Sequence, residues 1–205
     1  MLVFSGAALA LLLIPGPAVL YIVARSADQG RRAGLVSVLG VHVGTLVHIA
    51  AAVLGLSALI VASATAFTTV KLAGAAYLVY LGLSTLRGRE ALVAPDPGSP
   101  PRSTRRVFAD GVVLNILNPK TAVFFLAFVP QFVDVDAGHS AAQVVVLGVV
   151  FIALGLVTDG AYALAGGWIG TRLRRSPRVA RRSRTGTGVV YLGLGLTTAL
   201  TSRSA

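Results

Sequence analysis

The chain has 205 residues, of which 55% are hydrophobic and only 12% charged, and its mean hydropathy is +0.81. A soluble domain carries about 25% charged residues, so a water-soluble globule is excluded. The 18 basic residues outnumber the 7 acidic ones and leave a net charge of +11, but they sit between long apolar runs, which points to a membrane and away from nucleic acid. There is no cysteine, which removes disulfides, thiolate metal sites and thiol redox chemistry together.

A membrane-spanning helix needs about 20 apolar residues. The runs with few or no charges supply six such spans, at 4–24, 35–61, 67–86, 109–132, 141–169 and 185–202. Span 1 is interrupted by Pro15-Gly16-Pro17. It is not read as a cleaved signal peptide, because residues 1–13 hold no Lys or Arg to form a positive n-region. The run 33–70 is too long for one helix, and the polar stretch around Ser63-Ala64-Thr65 and Thr68-Thr69 divides spans 2 and 3 near 62–66. Gly40 and Gly44 in span 2, and Gly166 and Gly170 in span 5, have the spacing that lets helix backbones approach closely. Span 4 is interrupted by Asn118-Pro119.

The loops alternate in charge. Loop one (25–32), loop three (87–108) and loop five (171–184) hold 15 of the 18 basic residues. Loop two has none, and loop four (133–140) carries only Asp134 and Asp136. Positive loops stay cytoplasmic, so both termini are expected outside. The arginines of loop five read as a topology signal beside anionic lipid. Loop three, with Pro95, Pro97, Pro100 and Pro101, reads as a disordered linker.

That linker divides the chain into a first three-helix block (1–86), a cytoplasmic Pro/Arg-rich linker (87–108) and a second three-helix block (109–205). Three is odd, so equivalent spans run in opposite directions, as in an inverted repeat. The expected fold is all-α, with six transmembrane helices in two inverted repeats. The first span of each block carries a proline break. At 1.5 Å per residue both breaks lie about 15 Å deep, near the midplane, where freed backbone groups are tolerated only beside protein or a watery cavity. Ordinary proline kinks are the plainer reading of either one alone, but matched breaks in two halves point to a binding site.

Three ionisable residues lie equally deep: His48 in span 2, Lys120 beside the span 4 break, and Asp159 in span 5. A charge at that depth costs several kcal/mol unless paired or hydrated, roughly 3 on insertion scales, so each marks a functional site. Lys120 and Asp159 are natural partners, although a snorkelling lysine and a purely structural ion pair are the bland alternatives. Histidine's ordinary titration range suits proton coupling, whereas membrane histidines also serve simply as interhelical hydrogen-bond donors. His42, nearer the cytoplasmic side, is left without a role. The candidate substrate-binding or coupling residues are Pro15, Gly16, Pro17, His48, Asn115, Asn118, Pro119, Lys120 and Asp159. There is no phosphate loop, catalytic triad or metal-ligand spacing, so neither an enzyme nor a cofactor protein is expected.

The residues also resemble a known family, the lysine exporter (LysE/RhtB) superfamily of bacterial amino-acid exporters. The matches are Pro15-Gly16-Pro17; Gly30, Gly34, Gly40 and Gly44; Lys71, Gly74, Ala75, Tyr77, Leu78, Tyr80, Leu81 and Gly82; and the span 4 signature of Gly111, Asn115, Asn118-Pro119-Lys120, Phe124-Phe125 and Pro130-Gln131-Phe132. The resemblance implies an inner-membrane permease that exports amino acids on the proton gradient. Its partners would be a small amino-acid substrate, protons and anionic lipids; a homo-oligomer stays open. Export of another small solute or a metal cation, a channel, and a membrane scaffold are the alternatives.

Overall fold

The computed structural model describes residues 1–62 and 102–175, with isolated positions between and beyond them. All regular structure among the described residues is helical. The elements are α1 (Leu2–Leu13), α2 (Pro17–Gln29), α3 (Arg31–Ala62), α4 (Thr104–Ile116), α5 (Pro119–Val123) and α6 (Ser140–Arg175). After α5 the chain widens into one π-helical turn at Phe124–Phe128, then tightens into a 3-10 turn at Val129–Phe132. The break near 62–66 and most of expected spans 3 and 6 lie outside the described residues. The positions described within those two spans, among them Thr69, Tyr80, Val189 and Leu196, are helical.

Several boundaries differ from the sequence reading. Loop one is reduced to a single residue, Gly30, whose φ of +84° is open to glycine and strained for other residues. The helix of span 4 begins at Thr104, five residues early, because the Ser103 side chain accepts a hydrogen bond from the Arg106 N–H and caps it. Helix α6 runs on to Arg175, past 169. The π turn was not foreseen either. Pro130 cannot donate to the carbonyl four residues back, and the wide turn upstream accommodates it.

Helices α3 and α6 hold stretches long and apolar enough to cross a membrane, at Arg31–Gly55 and Ser140–Trp168. The pairs α1–α2 and α4–α5 each make one such stretch, bent by 51° and 47° at the break. Helix α3 shows how the lipid boundary is built. Leu35, Leu39, Val43, Leu46 and Leu54 are exposed along one stripe, while Val38, Val41, His42, Thr45, Ile49 and Ala52 are buried along another. Lipid is as apolar as leucine, so close packing and hydrogen bonds hold such helices together. Gly40 sits against the Phe108 carbonyl, and a Cβ on Gly44 would lie 2.8 Å from the Val112 carbonyl oxygen. These glycines seat α3 directly on the α4 backbone.

Contacts also set directions. The Tyr21 hydroxyl donates to the Val107 carbonyl at 2.8 Å, and Gln29 Nε2 to the Arg102 carbonyl at 3.0 Å. The end of α2 therefore lies beside the start of α4, and the two broken helices run antiparallel. Ser26 of α2 bonds the Ala163 carbonyl of α6. The basic ends of α2, α4 and α6 thus share one side of the molecule. The core near the opposite side is aromatic: Phe4, Phe124, Phe125, Phe128 and Phe151 pack with ring centroids 5.1 to 5.9 Å apart, the favoured range for edge and offset contacts.

Candidate functional site

A proline at position i leaves the carbonyl at i−4 without its helical donor. In a membrane that carbonyl needs another partner. Pro17 orphans the Leu13 carbonyl, and the Tyr162 hydroxyl of α6 donates to it at 2.7 Å. The next carbonyl, Ile14, lies in extended backbone before Pro15. It accepts the Lys120 ammonium at 2.8 Å. Gly16 is extended at the N-cap of α2, and Pro17 opens that helix at the position where its missing donor matters least.

The second break follows the same rule. Pro119 orphans the Asn115 carbonyl, and His48 Nε2 lies 2.7 Å from it. A carbonyl only accepts, so Nε2 carries the hydrogen. The His48 ring also stacks on Phe125, with the planes 12° apart. The Asn118 side chain caps α5 by accepting the Lys120 N–H at 3.1 Å. The Asn115 side chain is fully engaged: Nδ2 donates to the Val41 carbonyl at 2.8 Å and to Thr45 Oγ1 at 2.9 Å, and Oδ1 accepts from Asn118 and Thr121. It ties the break to α3.

The breaks meet. Gly16, Asn115, Asn118, Lys120 and Asp159 border one buried cavity of about 30 Å³, with Leu11, Leu12, Val19 and Phe151 as apolar walls. Lys120 is 8% exposed and Asp159 3%. Asn118 also borders a larger groove of about 620 Å³, shared with Pro17 and Pro119, that reaches Arg106 and Asp110 on the basic side of the molecule.

Asp159 Oδ2 stands 3.2 Å from His42 Nε2, within ion-pair distance, and the Lys120 ammonium also reaches the Ile14 carbonyl of the other break. His48 faces the Asn115 carbonyl and not the cavity. Six residues separate the two histidines, which is about 120° around the helix, so only one of them can face α6. Sequence reasoning passed over His42, Thr45, Thr121 and Tyr162. The one signal for His42 was that it shares a helix stripe with Thr45, three residues on. Gly155, one turn before Asp159, has the His42 ring packed against it.

Two antiparallel broken helices thus bring a lysine, a carboxylate and a histidine to one cavity. The LysE type translocator family matches residues 9–202. The chain belongs to that family. This LysE type translocator is 33% identical over 184 residues to an "Uncharacterized membrane protein" of Vibrio cholerae, spanning 90% of this chain and 88% of its relative. It is 30% identical over 190 residues to "Uncharacterized membrane protein PA4757" of Pseudomonas aeruginosa, with the same two coverages. It is 31% identical over 155 residues to "Uncharacterized membrane protein YrhP" of Bacillus subtilis, covering 72% of this chain and 73% of that one. No solved structure matches. The protein is a multi-pass membrane transporter of small solutes.

Proposed function

We propose that this translocator is a secondary-active exporter of amino acids or small amino-acid derivatives, driven by the proton gradient through alternating access. The observation that carries the reading is the cavity where both helix breaks, the Lys120 ammonium and the Asp159–His42 pair converge. An amino acid offers a carboxylate and an ammonium a few ångströms apart, and the cavity offers their complements. The N-terminus of α2 adds a partial positive charge at Gly16, on the carboxylate side.

The reading includes six spans in two inverted repeats, in the bacterial inner membrane, with both termini outside. The antiparallel course of the two broken helices supports the inversion. Arg25, Arg31, Arg32, Arg102, Arg105 and Arg106 lie toward one side and Asp134 and Asp136 on the loop at the other, the distribution that orients such proteins. A cavity of about 30 Å³ holds a water or two and no amino acid, which in this reading corresponds to the closed step of the cycle. Loading requires the α1–α2 and α4–α5 arms to part, and the Lys120–Ile14 link joins the two arms at their breaks.

Counterflow in proteoliposomes loaded with an amino-acid panel tests this, with a pH gradient imposed and then collapsed. Saturable movement of one or a few amino acids, weakened by the collapse, is expected. Passive, gradient-insensitive flux would make the protein a channel. No movement of any amino acid by folded protein would overturn the substrate class and turn attention to metal cations and other small solutes.

A further inference from the structure

Asp159 and His42 are both more than nine-tenths buried, yet they are incompletely satisfied. Asp159 Oδ1 has no hydrogen-bond partner, and neither His42 nitrogen makes a hydrogen bond of good geometry, although Nε2 is within ion-pair distance of Oδ2. Both residues border the cavity. A buried carboxylate needs a cation, because an uncompensated charge there is strongly unfavourable. The titratable groups of the surrounding helices are few. On the cavity wall, α3 contributes His42, α5 contributes Lys120 and α6 contributes Asp159, while α1, α2 and α4 contribute none. Tyr162, three residues past Asp159, is committed to the Leu13 carbonyl, and His48 to the Asn115 carbonyl. Lys120 is drawn toward Ile14. His42, whose Nε2 stands 3.2 Å from Asp159 Oδ2, compensates that carboxylate directly when its ring is protonated.

We infer that a proton and the substrate's ammonium compete for Asp159, with His42 as the group that carries the proton. This rests on the amino-acid exporter reading and specifies its coupling. In the empty closed state, His42 is protonated and compensates Asp159. When a zwitterionic amino acid loads from the cytoplasm, its ammonium takes the Asp159 carboxylate and its carboxylate takes Lys120. His42 then gives up its proton to the cytoplasm. After substrate leaves outside, His42 takes a proton from that side and the pair re-forms. One zwitterion moves out and one proton moves in per cycle, and no bond other than the N–H of His42 breaks or forms. The substrate class follows: a free amino group is required, and the apolar walls of Leu11, Leu12, Val19 and Phe151 suit a small uncharged side chain.

The test uses the purified full chain in proteoliposomes. The probe is a mixture of the common L-amino acids, compared with the same mixture N-acetylated, and the readouts are radiolabel counterflow and a trapped pH dye. Wild type should move the free amino acids with protons in the opposite direction and leave the acetylated ones. His42→Gln keeps a neutral polar side chain near Asp159 but carries no proton. In that variant the number of protons moved per amino acid exchanged should fall about tenfold or more, whatever the remaining counterflow rate. Should the variant fail to fold or to exchange, wild type alone decides. Between about pH 8 and about pH 5, the range in which histidines titrate, its half-saturating concentration should rise as the pH is lowered, with the maximal counterflow rate unchanged. Full proton coupling in His42→Gln, a half-saturation independent of pH, or transport of the acetylated mixture would each overturn the inference and leave the exporter reading standing. Absence of counterflow in wild type would overturn both.

Discussion

The two helix breaks are built from similar sequence and held in different ways. At the second break the polar groups are mostly local: Asn115, Asn118 and Thr121 bond one another and cap the resumed helix, and only His48, Thr45 and Val41 of α3 come from elsewhere. At the first break the sequence Ile-Pro-Gly-Pro offers no polar side chain. Its freed carbonyls depend on Tyr162 from α6 and Lys120 from the other break. The second break is a self-supporting corner. The first is held by its neighbours, Tyr162 and Lys120.

Asn115→Leu should break the self-supporting corner. It takes the acceptor from the Thr121 hydroxyl and the Asn118 amide and removes the Asn115 amide from Val41 and Thr45, which keep only each other, and stranding buried donors in this way costs about 3 kcal/mol or more. Thermal unfolding in detergent should show poorly folded protein. Gly44→Val attacks the seat beneath the same corner. Its Cβ would lie 2.8 Å from the Val112 carbonyl oxygen and 2.9 Å from the Asn115 Cβ. Overpacking of this kind costs roughly 1–3 kcal/mol, read from the same melts.

Lys120→Met tests the link between the breaks. It keeps the apolar stem and removes the ammonium from the Ile14 carbonyl. Counterflow should fall by about tenfold or more, the effect of a lost charged contact worth ~1.4 kcal/mol, with the melting temperature changed little. Equal losses of transport and stability would make the lysine structural. Tyr162→Phe is the mildest change. It removes one hydrogen bond from the Leu13 carbonyl, and interhelical bonds in membranes are worth about 0.6 kcal/mol on average. A small drop in melting temperature is expected. A loss as large as that of Asn115→Leu would show that the first break is as rigidly built as the second.

Both breaks were legible in the sequence, because a proline removes a backbone donor wherever it stands in a helix. The Gly40–Gly44 spacing announced a close helix contact but not that α4 would be the partner. Lys120 was legible as a deep cation, and its acceptor was not, since Ile14 lies 106 residues earlier in the chain. The widened turn at Phe124–Phe128 escaped because Pro130 alone does not say whether a helix kinks, ends or expands.

The amino-acid sequence by itself determined that this chain lives in a membrane, where its helices break, and which residues lie deep in them. Those properties depend on composition and on rise per residue, which are local. Which buried group meets which was decided only by the tertiary structure. His42 and His48 stand on the same helix six residues apart, and about 120° of rotation sends one to Asp159 and the other to the Asn115 carbonyl. That rotation is set by glycines seated on a neighbouring backbone, a contact between segments far apart in the chain.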